Sequence, residues 1–380
     1  MLIKEVQGSY DLAVVGAGIL GLAHAYHAAK KGLRVIVFER SQQARGASTR
    51  NFGLIWPIGQ SAGNYSVALR SREIWLEILQ ASGLYHQKTG SLHLAYREDE
   101  AAVAQEFARK GPEAGFQCEW LDRTQVAKAS KAVRKEGLVG ALWSPTEITV
   151  DPRETLVELP RFLAAELGVA FHYGAPVTAI EMPLLVAGNQ HYEALKAVVC
   201  CGSELNHLYQ EELGGTELKL CKLQMLRTSP QPGSWRLGPA LAGGLTFRFY
   251  PPFQICSSLH ALRERIGRET PEFDRWGIHT MVSQGADGSL TFGDSHEYGS
   301  DPSPFLRNDI EELILCHIRT YLTAPEMRPA ERWYGTYVKH PSLPYCQLEI
   351  ERNVTLVTGL GGAGMTLSFA VAEHVIRSIF

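Results

Sequence analysis

The stretch Tyr10-Asp11-Leu12-Ala13-Val14-Val15-Gly16-Ala17-Gly18-Ile19-Leu20-Gly21 decides the fold. Its first half reads as a short buried strand, and the glycines break that strand into a turn. An alanine-rich helical stretch follows to Lys31, and Gly32 stops it. Arg34 to Phe38 reads as a second strand, closed by Glu39. The spacing G-x-G-x-x-G between a strand and a helix fits a dinucleotide pyrophosphate. Gly16 permits the sharp turn, Gly18 lets the phosphates approach the backbone, and Gly21 lets helix and strand pack closely. The helix start offers unpaired N–H groups and a positive dipole end. Glu39 stands where a carboxylate accepts hydrogen bonds from a ribose diol, and its charge disfavours a 2′-phosphate.

A second unit of the same kind lies near residue 360. Val354 to Thr358 reads as a buried strand, Gly359-Leu360-Gly361-Gly362-Ala363-Gly364 breaks it, and a helix from about Met365 to Ile379 follows. A second helix N-terminus suits the pyrimidine edge of a flavin, where negative charge collects on reduction. Gly362, Gly364, Met365 and Thr366 occupy the right place in it. Two such loops in one chain point to FAD rather than to NAD alone.

Composition excludes several classes. The 380 residues suffice for two domains or one large composite one, with 45% hydrophobic and 20% charged residues. A net charge of −3 gives no electrostatic footprint for nucleic acid. No apolar run is long enough for a membrane span, and the first apolar run is the nucleotide strand itself, so no signal peptide is expected. Seven cysteines without C-x-x-C spacing read as reduced thiols of a cytoplasmic protein. The thirteen histidines show no metal-ligand spacing, so no metal site is expected.

The rest of the chain alternates between two styles. Tyr65 to Gln80 and Glu98 to Lys110 read as helices, and Gly90 to Tyr96 and Leu138 to Trp143 as strands. Asp151-Pro152 is a helix start, Gly168 ends that helix, and strands follow at 169–173, 177–181 and 197–201. Gly202 turns into a helix that Ser203 would cap. From Lys219 to Phe292 short alternating stretches (222–228, 245–250, 279–282, 290–292) are separated by prolines and glycines, the mark of an antiparallel sheet. One helix falls within 304–322. The expected fold class is α/β, α+β in part. A Rossmann-like FAD-binding domain is built from 1–88, 145–218 and 330–380, with an inserted, mostly antiparallel substrate domain from 89–144 and 219–329.

The chain resembles the flavin-dependent oxidoreductases typified by D-amino acid oxidase, glycine oxidase and monomeric sarcosine oxidase. The resemblance rests on VVGAGILGL (14–22), VFER (37–40), GASTRNFG (46–53), TGSLHLAY (89–96), VDPRETL (150–156), APVTAIE (175–181), VVCCGSEL (198–205) and VTGLGGAGMTLSFAVAE (357–373), in the family order. RNFGLIWPIGQ (50–60), FGDSHEYG (292–299) and GMTLSF (364–369) are similar to one branch proposed to act on aminophosphonates. The resemblance implies that Gly16, Gly18, Ile19, Leu20 and Gly21 hold the FAD pyrophosphate, and that Glu39 and Arg40 lie at the adenosine. Ala47, Ser48, Arg50 and Asn51 lie along the cofactor. Val177 meets adenine through its backbone, Cys201 and Gly202 let the cofactor pass, and Gly361, Gly362, Gly364, Met365 and Thr366 border the flavin. With no cysteine or histidine in 46–53, non-covalent FAD is expected.

The implied reaction is hydride transfer from an amine-bearing carbon to flavin, with molecular oxygen or another acceptor taking the electrons. Many family members hold the substrate carboxylate with an arginine in a W-x-G-x-R stretch. Here that stretch is Trp333-Tyr334-Gly335-Thr336-Tyr337, and tyrosine replaces the arginine. This leaves room for another anion held by several point donors. Arg50, His296, Tyr337, Lys339 and His340 are the candidates. Bland readings stand beside them: a pyrophosphate counter-charge, a structural histidine, a core tyrosine and a solvated lysine. An ordinary amino acid or N-methyl amino acid oxidase, and a flavin-binding module without turnover, remain open.

Overall fold

In the computed structural model, residues 6–380 are described; residues 1–5, the start of the first expected domain segment, lie outside them. An eight-stranded sheet forms the first layer. Its parallel centre runs in the order Val354–Thr358, Gln190–Val199, Val6–Val15, Val35–Glu39, Ala170–Tyr173. Leu12, Ala13 and Val14 are wholly buried, as expected of a strand covered on both faces. Val15 pairs with Val199 on one side and with Phe38 on the other. The parallel strands thus end together, and their glycine turns share one edge, where ligands bind in open α/β sheets.

Helices Ile19–Lys30, Ala62–Ser82, Pro152–Leu167 and Gly364–Ile379 contribute to one apolar cluster with this sheet. Trp75 is fully buried there; its indole N–H donates to the Met365 carbonyl at 2.8 Å. Helix Pro152–Leu167 begins as the sequence indicates. Asp151 accepts from the Arg153 and Glu154 N–H groups, and Gly168 ends the helix in the left-handed region at φ 66°.

A nine-stranded, mostly antiparallel sheet forms the second layer. Its long strand Lys219–Pro230 pairs with Ser289–Gly293, Glu297–Gly299 and Pro329–Lys339. The expected boundary at 330 assigns the last of these to the cofactor part, but it hydrogen-bonds along the second sheet. The Asp151 carboxylate also links the layers, accepting from the Ala286 N–H at 3.0 Å and lying 3.7 Å from Arg227.

Two local expectations fail. Residues 245–250 form the short helix Thr246–Phe249 instead of a strand, because the Thr246 hydroxyl donates to the Gly243 carbonyl at 2.7 Å and Phe247 buries against Phe253. No helix follows Gly202 directly. Tyr209 adopts a left-handed conformation (φ 59°), and the helix starts after it, at Gln210–Gly214.

A Cβ at Gly21 would stand 1.9 Å from the Gly16 carbonyl oxygen. Gly21→Ala is therefore expected to destabilise the protein by about 1–3 kcal/mol. Urea unfolding should show a lower midpoint at unchanged slope; an unshifted midpoint would contradict this packing.

Candidate functional site

The first glycine turn is built by exclusion of side chains. A Cβ at Gly16 (φ 103°) would lie 2.4 Å from the Cys200 carbonyl, so only glycine fits. The helix after it has no side-chain cap; the Ile19 N–H donates to Ser48 Oγ at 3.0 Å. Helix Gly364–Ile379 is likewise uncapped and has no acid in its first turn. The two helix starts adjoin, for a Cβ at Gly364 would stand 3.9 Å from the Ile19 side chain.

Both open into a cavity of about 480 Å³ between the two sheets. Its lining includes Ile19, Ala47, Ser48, Arg50 and Asn51 from the cofactor side, and Gly361, Gly362, Gly364, Met365 and Thr366 from the C-terminal loop. His296, Tyr337, Lys339 and His340 line it too, with Lys339 beside Gly361 and Tyr337 beside Gly362. Every candidate substrate residue therefore faces one space. Two helix N-termini whose N-cap residues make no side-chain cap, glycine-rich turns before them and the buried Trp56 indole N–H, unpartnered among the described residues, fit a dinucleotide with a flat ring system.

The remaining cofactor candidates stand farther along the sheet edge, outside that cavity lining. Glu39 accepts from the Ala17 N–H at 3.1 Å and the Ser41 N–H at 3.0 Å. It thus braces the turn with the oxygens that the sequence reading gives to ribose. Arg40 pairs with Glu204 at 2.8 Å on the surface. The Val177 carbonyl lies 3.1 Å from His207 Nε2. Cys201 is half-buried, its thiol pushed up to about 11 by burial, and the Gly202 carbonyl accepts from the Thr358 hydroxyl at 3.0 Å. Asn51 donates to the Ala47 and Ser48 carbonyls and accepts from the Gly53 N–H, which fixes its loop. The Thr366 hydroxyl accepts from the Trp56 N–H at 2.9 Å. It ties the C-terminal helix to the aromatic wall.

Arg50 is held by the second sheet. Its guanidinium donates to the Tyr334 carbonyl at 3.3 Å, and the Trp333 indole donates to the Arg50 carbonyl at 3.1 Å. Among the described residues neither Arg50 nor Lys339 has a carboxylate partner within 4 Å. His340 Nδ1 accepts from the Ser342 and Leu343 N–H groups, which leaves its hydrogen on Nε2 as a donor. Tyr337 is buried opposite Cys221, and burial pushes its phenol well above the usual range.

The sequence reading missed His279 and gave Asp294 no role. The strands Met281–Gln284 and Ser289–Gly293 pair Met281 with Gly293, and the Asp294 N–H continues the ladder by donating to the His279 carbonyl at 3.1 Å. His279, Asp294 and His296 therefore converge at the cavity wall with donor atoms within 4.8 Å of one another. Only the hairpin pairing could have signalled this, since no short spacing joins 279 to 294. The imidazoles of His279 and His296 stack at 4.8 Å, and Phe249 lies 3.8 Å from His279. Burial holds the Asp294 carboxyl well above its usual range, His279 well below its own, and His296 down at about 3.

A family model described as FAD dependent oxidoreductase matches residues 11–378. One subunit of the anaerobic glycerol-3-phosphate dehydrogenase of Escherichia coli (strain K12) is 33% identical over 217 residues, 56% of this chain. That match spans 36% of the relative, so the chain corresponds to about a third of its length. Glycine oxidase from Geobacillus kaustophilus superimposes with a TM-score of 0.74 at 18% identity, covering 98% of this chain and 94% of that one. L-proline dehydrogenase from P. horikoshii gives 0.76 at 19% identity, covering 98% and 93%. These structural likenesses carry the fold.

His93 lies behind the aromatic wall, 5.3 Å from the Trp56 ring, with neither ring nitrogen bonded. Burial pushes it down to about 3. The unfolded chain binds its proton near pH 6.5 and the folded chain does not. Stability from this group is therefore complete above about pH 6.5 and falls by about 1.4 kcal/mol per pH unit below it. His93→Phe should flatten the loss of stability between about pH 6.5 and 5 by one proton's worth. Urea titrations at both pH values check this, and an unchanged slope would contradict it.

Proposed function

The chain belongs to the FAD dependent oxidoreductase family, and on that premise we propose that it oxidises a small anionic amine, an aminophosphonate related to 2-aminoethylphosphonate. The observation that carries the reading is the pair of cations, Arg50 and Lys339, lining one cavity without a carboxylate partner among the described residues. A phosphonate presents three oxygens and up to two charges. Separate donors such as Arg50, Lys339, the Tyr337 phenol and His340 Nε2 suit it better than the planar, bidentate grip that suits a carboxylate.

FAD, when bound, would supply the two-electron acceptor for the amine-bearing carbon, with molecular oxygen or another acceptor as the final electron sink. The residues that would hold it are Gly16, Gly18, Ile19, Leu20 and Gly21 with Ser48, and the C-terminal turn from Gly361 to Thr366. The chain's own work is to orient the substrate and to exclude water. Trp56, Phe249 and Tyr250 supply an apolar wall, and the cations fix the anionic end. The imine formed is released and hydrolysed to a carbonyl compound. The absence of cysteine and histidine from 46–53 supports non-covalent FAD, and seven free thiols support a cytoplasmic setting. Among the described residues no helix is long and apolar enough to cross a membrane.

Anaerobic flavin bleaching across amines bearing a phosphonate, a carboxylate or no anion tests the reading. Phosphonates should reduce the protein fastest. Arg50→Met and Lys339→Met should each raise KM for the phosphonate about tenfold or more, while an uncharged amine changes little. Tyr337→Arg should move preference toward carboxylates. Turnover of glycine or sarcosine far above every phosphonate would instead assign the common amino acid oxidase activity.

A further inference from the structure

The wall formed by His279, Asp294 and His296 is more than packing. All three side chains are buried, yet both His279 ring nitrogens and Asp294 Oδ1 have no hydrogen-bond partner among the described residues. Unpaired polar atoms in a dry site are costly unless a ligand supplies the missing partner. Lining the cavity, they face the same space as Arg50 and Lys339.

The chemistry of the atoms specifies what is missing. His296 Nδ1 lies 3.0 Å from the Gly277 carbonyl, which can only accept, so Nδ1 carries the hydrogen and Nε2 a lone pair. That lone pair lies 3.9 Å from Asp294 Oδ2, too far for a direct bond. His279 Nε2 lies 3.7 Å from Asp294 Oδ1, again too far. The wall thus presents the His296 lone pair and an Asp294 oxygen as acceptors set apart from one another, beside the donor hydrogen that a neutral His279 retains. A simple anion would leave both acceptors unpaired. An amino group brings hydrogens to both. A divalent metal ion fits less well, because a ligating imidazole is normally steadied by a partner on its second nitrogen, and His279 has none.

We infer that His279, Asp294 and His296 form the subsite that receives the substrate's amino group, in the same cavity as the cations that receive its anion. This rests on the anionic-amine reading above and adds a direction to it. The burial that keeps His296 neutral, down at about 3, equally favours an uncharged amine here. The amine therefore leaves its proton in solvent on entry, and its N–H groups donate to His296 Nε2 and to Asp294. The neutral amine needed for hydride loss is thereby selected by the cavity.

The test uses the FAD-loaded protein without oxygen and reads perturbation of the flavin spectrum on binding. The probe pairs are 2-aminoethylphosphonate against ethylphosphonate, and glycine against acetate. The wild-type protein is expected to bind the amine of at least one pair tenfold or more tighter than its amine-free partner. Asp294→Asn and His296→Gln should abolish that difference and leave the amine-free acid within about twofold. An N-trimethylated amine, which has no N–H to donate, should bind the wild-type protein no better than the amine-free acid, and this arm needs no variant to fold. The assignment is overturned if the wild-type protein shows no amine preference in either pair. It is equally overturned if the variants lose both members of a pair together, or if zinc binds stoichiometrically and is lost in His279→Asn. Preference confined to the glycine pair would uphold the subsite and sink the phosphonate reading instead.

Discussion

Everything in this molecule depends on a contact that has no side chain in it. The backbone of Gly21 sits against the carbonyl of Gly16, closer than any Cβ allows. That contact sets the angle at which the first helix leaves the first strand. The helix start then lies beside the start of the C-terminal helix, more than three hundred residues away in sequence. Two helix dipoles share one opening only because the strands beneath them are parallel and end level. The central strands are apolar on both faces because helices cover one face, while Val177, Ile180, Leu185 and Ala187 join the apolar cluster on the other.

The electrostatics of the cavity are as economical as its backbone. Burial drives each titratable group of the aromatic wall toward its uncharged form: Asp294 protonated, His279 and His296 neutral, Tyr250 and Tyr337 un-ionised. The fixed positive charges at Arg50 and Lys339 are therefore not cancelled from within. Arg50 is half-buried and Lys339 exposed, so solvent screens the second charge more than the first.

Much of the cofactor side was legible in the sequence because it is local. A strand, a glycine turn and a helix are consecutive, and each glycine has a steric reason readable from spacing alone. The helix at 152–167 was legible through its cap, Asp151. The substrate side was legible only in pieces. Tyr337 stood out because it displaces an arginine from a motif. His279 was invisible because its meaning comes from a hairpin partner fifteen residues later, and Asp294 had no role until that pairing was known. Residues 245–250 misled because their alternation is that of a strand, while a threonine hydroxyl and a buried aromatic cluster fold them into a helix. Glu39 ends the second strand as read, and its carboxylate accepts from two backbone N–H groups of the neighbouring turns.

Arg50 is fastened at both ends to the strand that carries Tyr337 and Lys339: its carbonyl to Trp333 and its guanidinium to Tyr334. Gly335 lies against the Arg50 backbone as well. The Arg50 loop and the strand that carries Tyr337 and Lys339 are thus one mechanical piece. Ligands that each shifted this piece would be thermodynamically linked, and such a linkage acts equally in both directions.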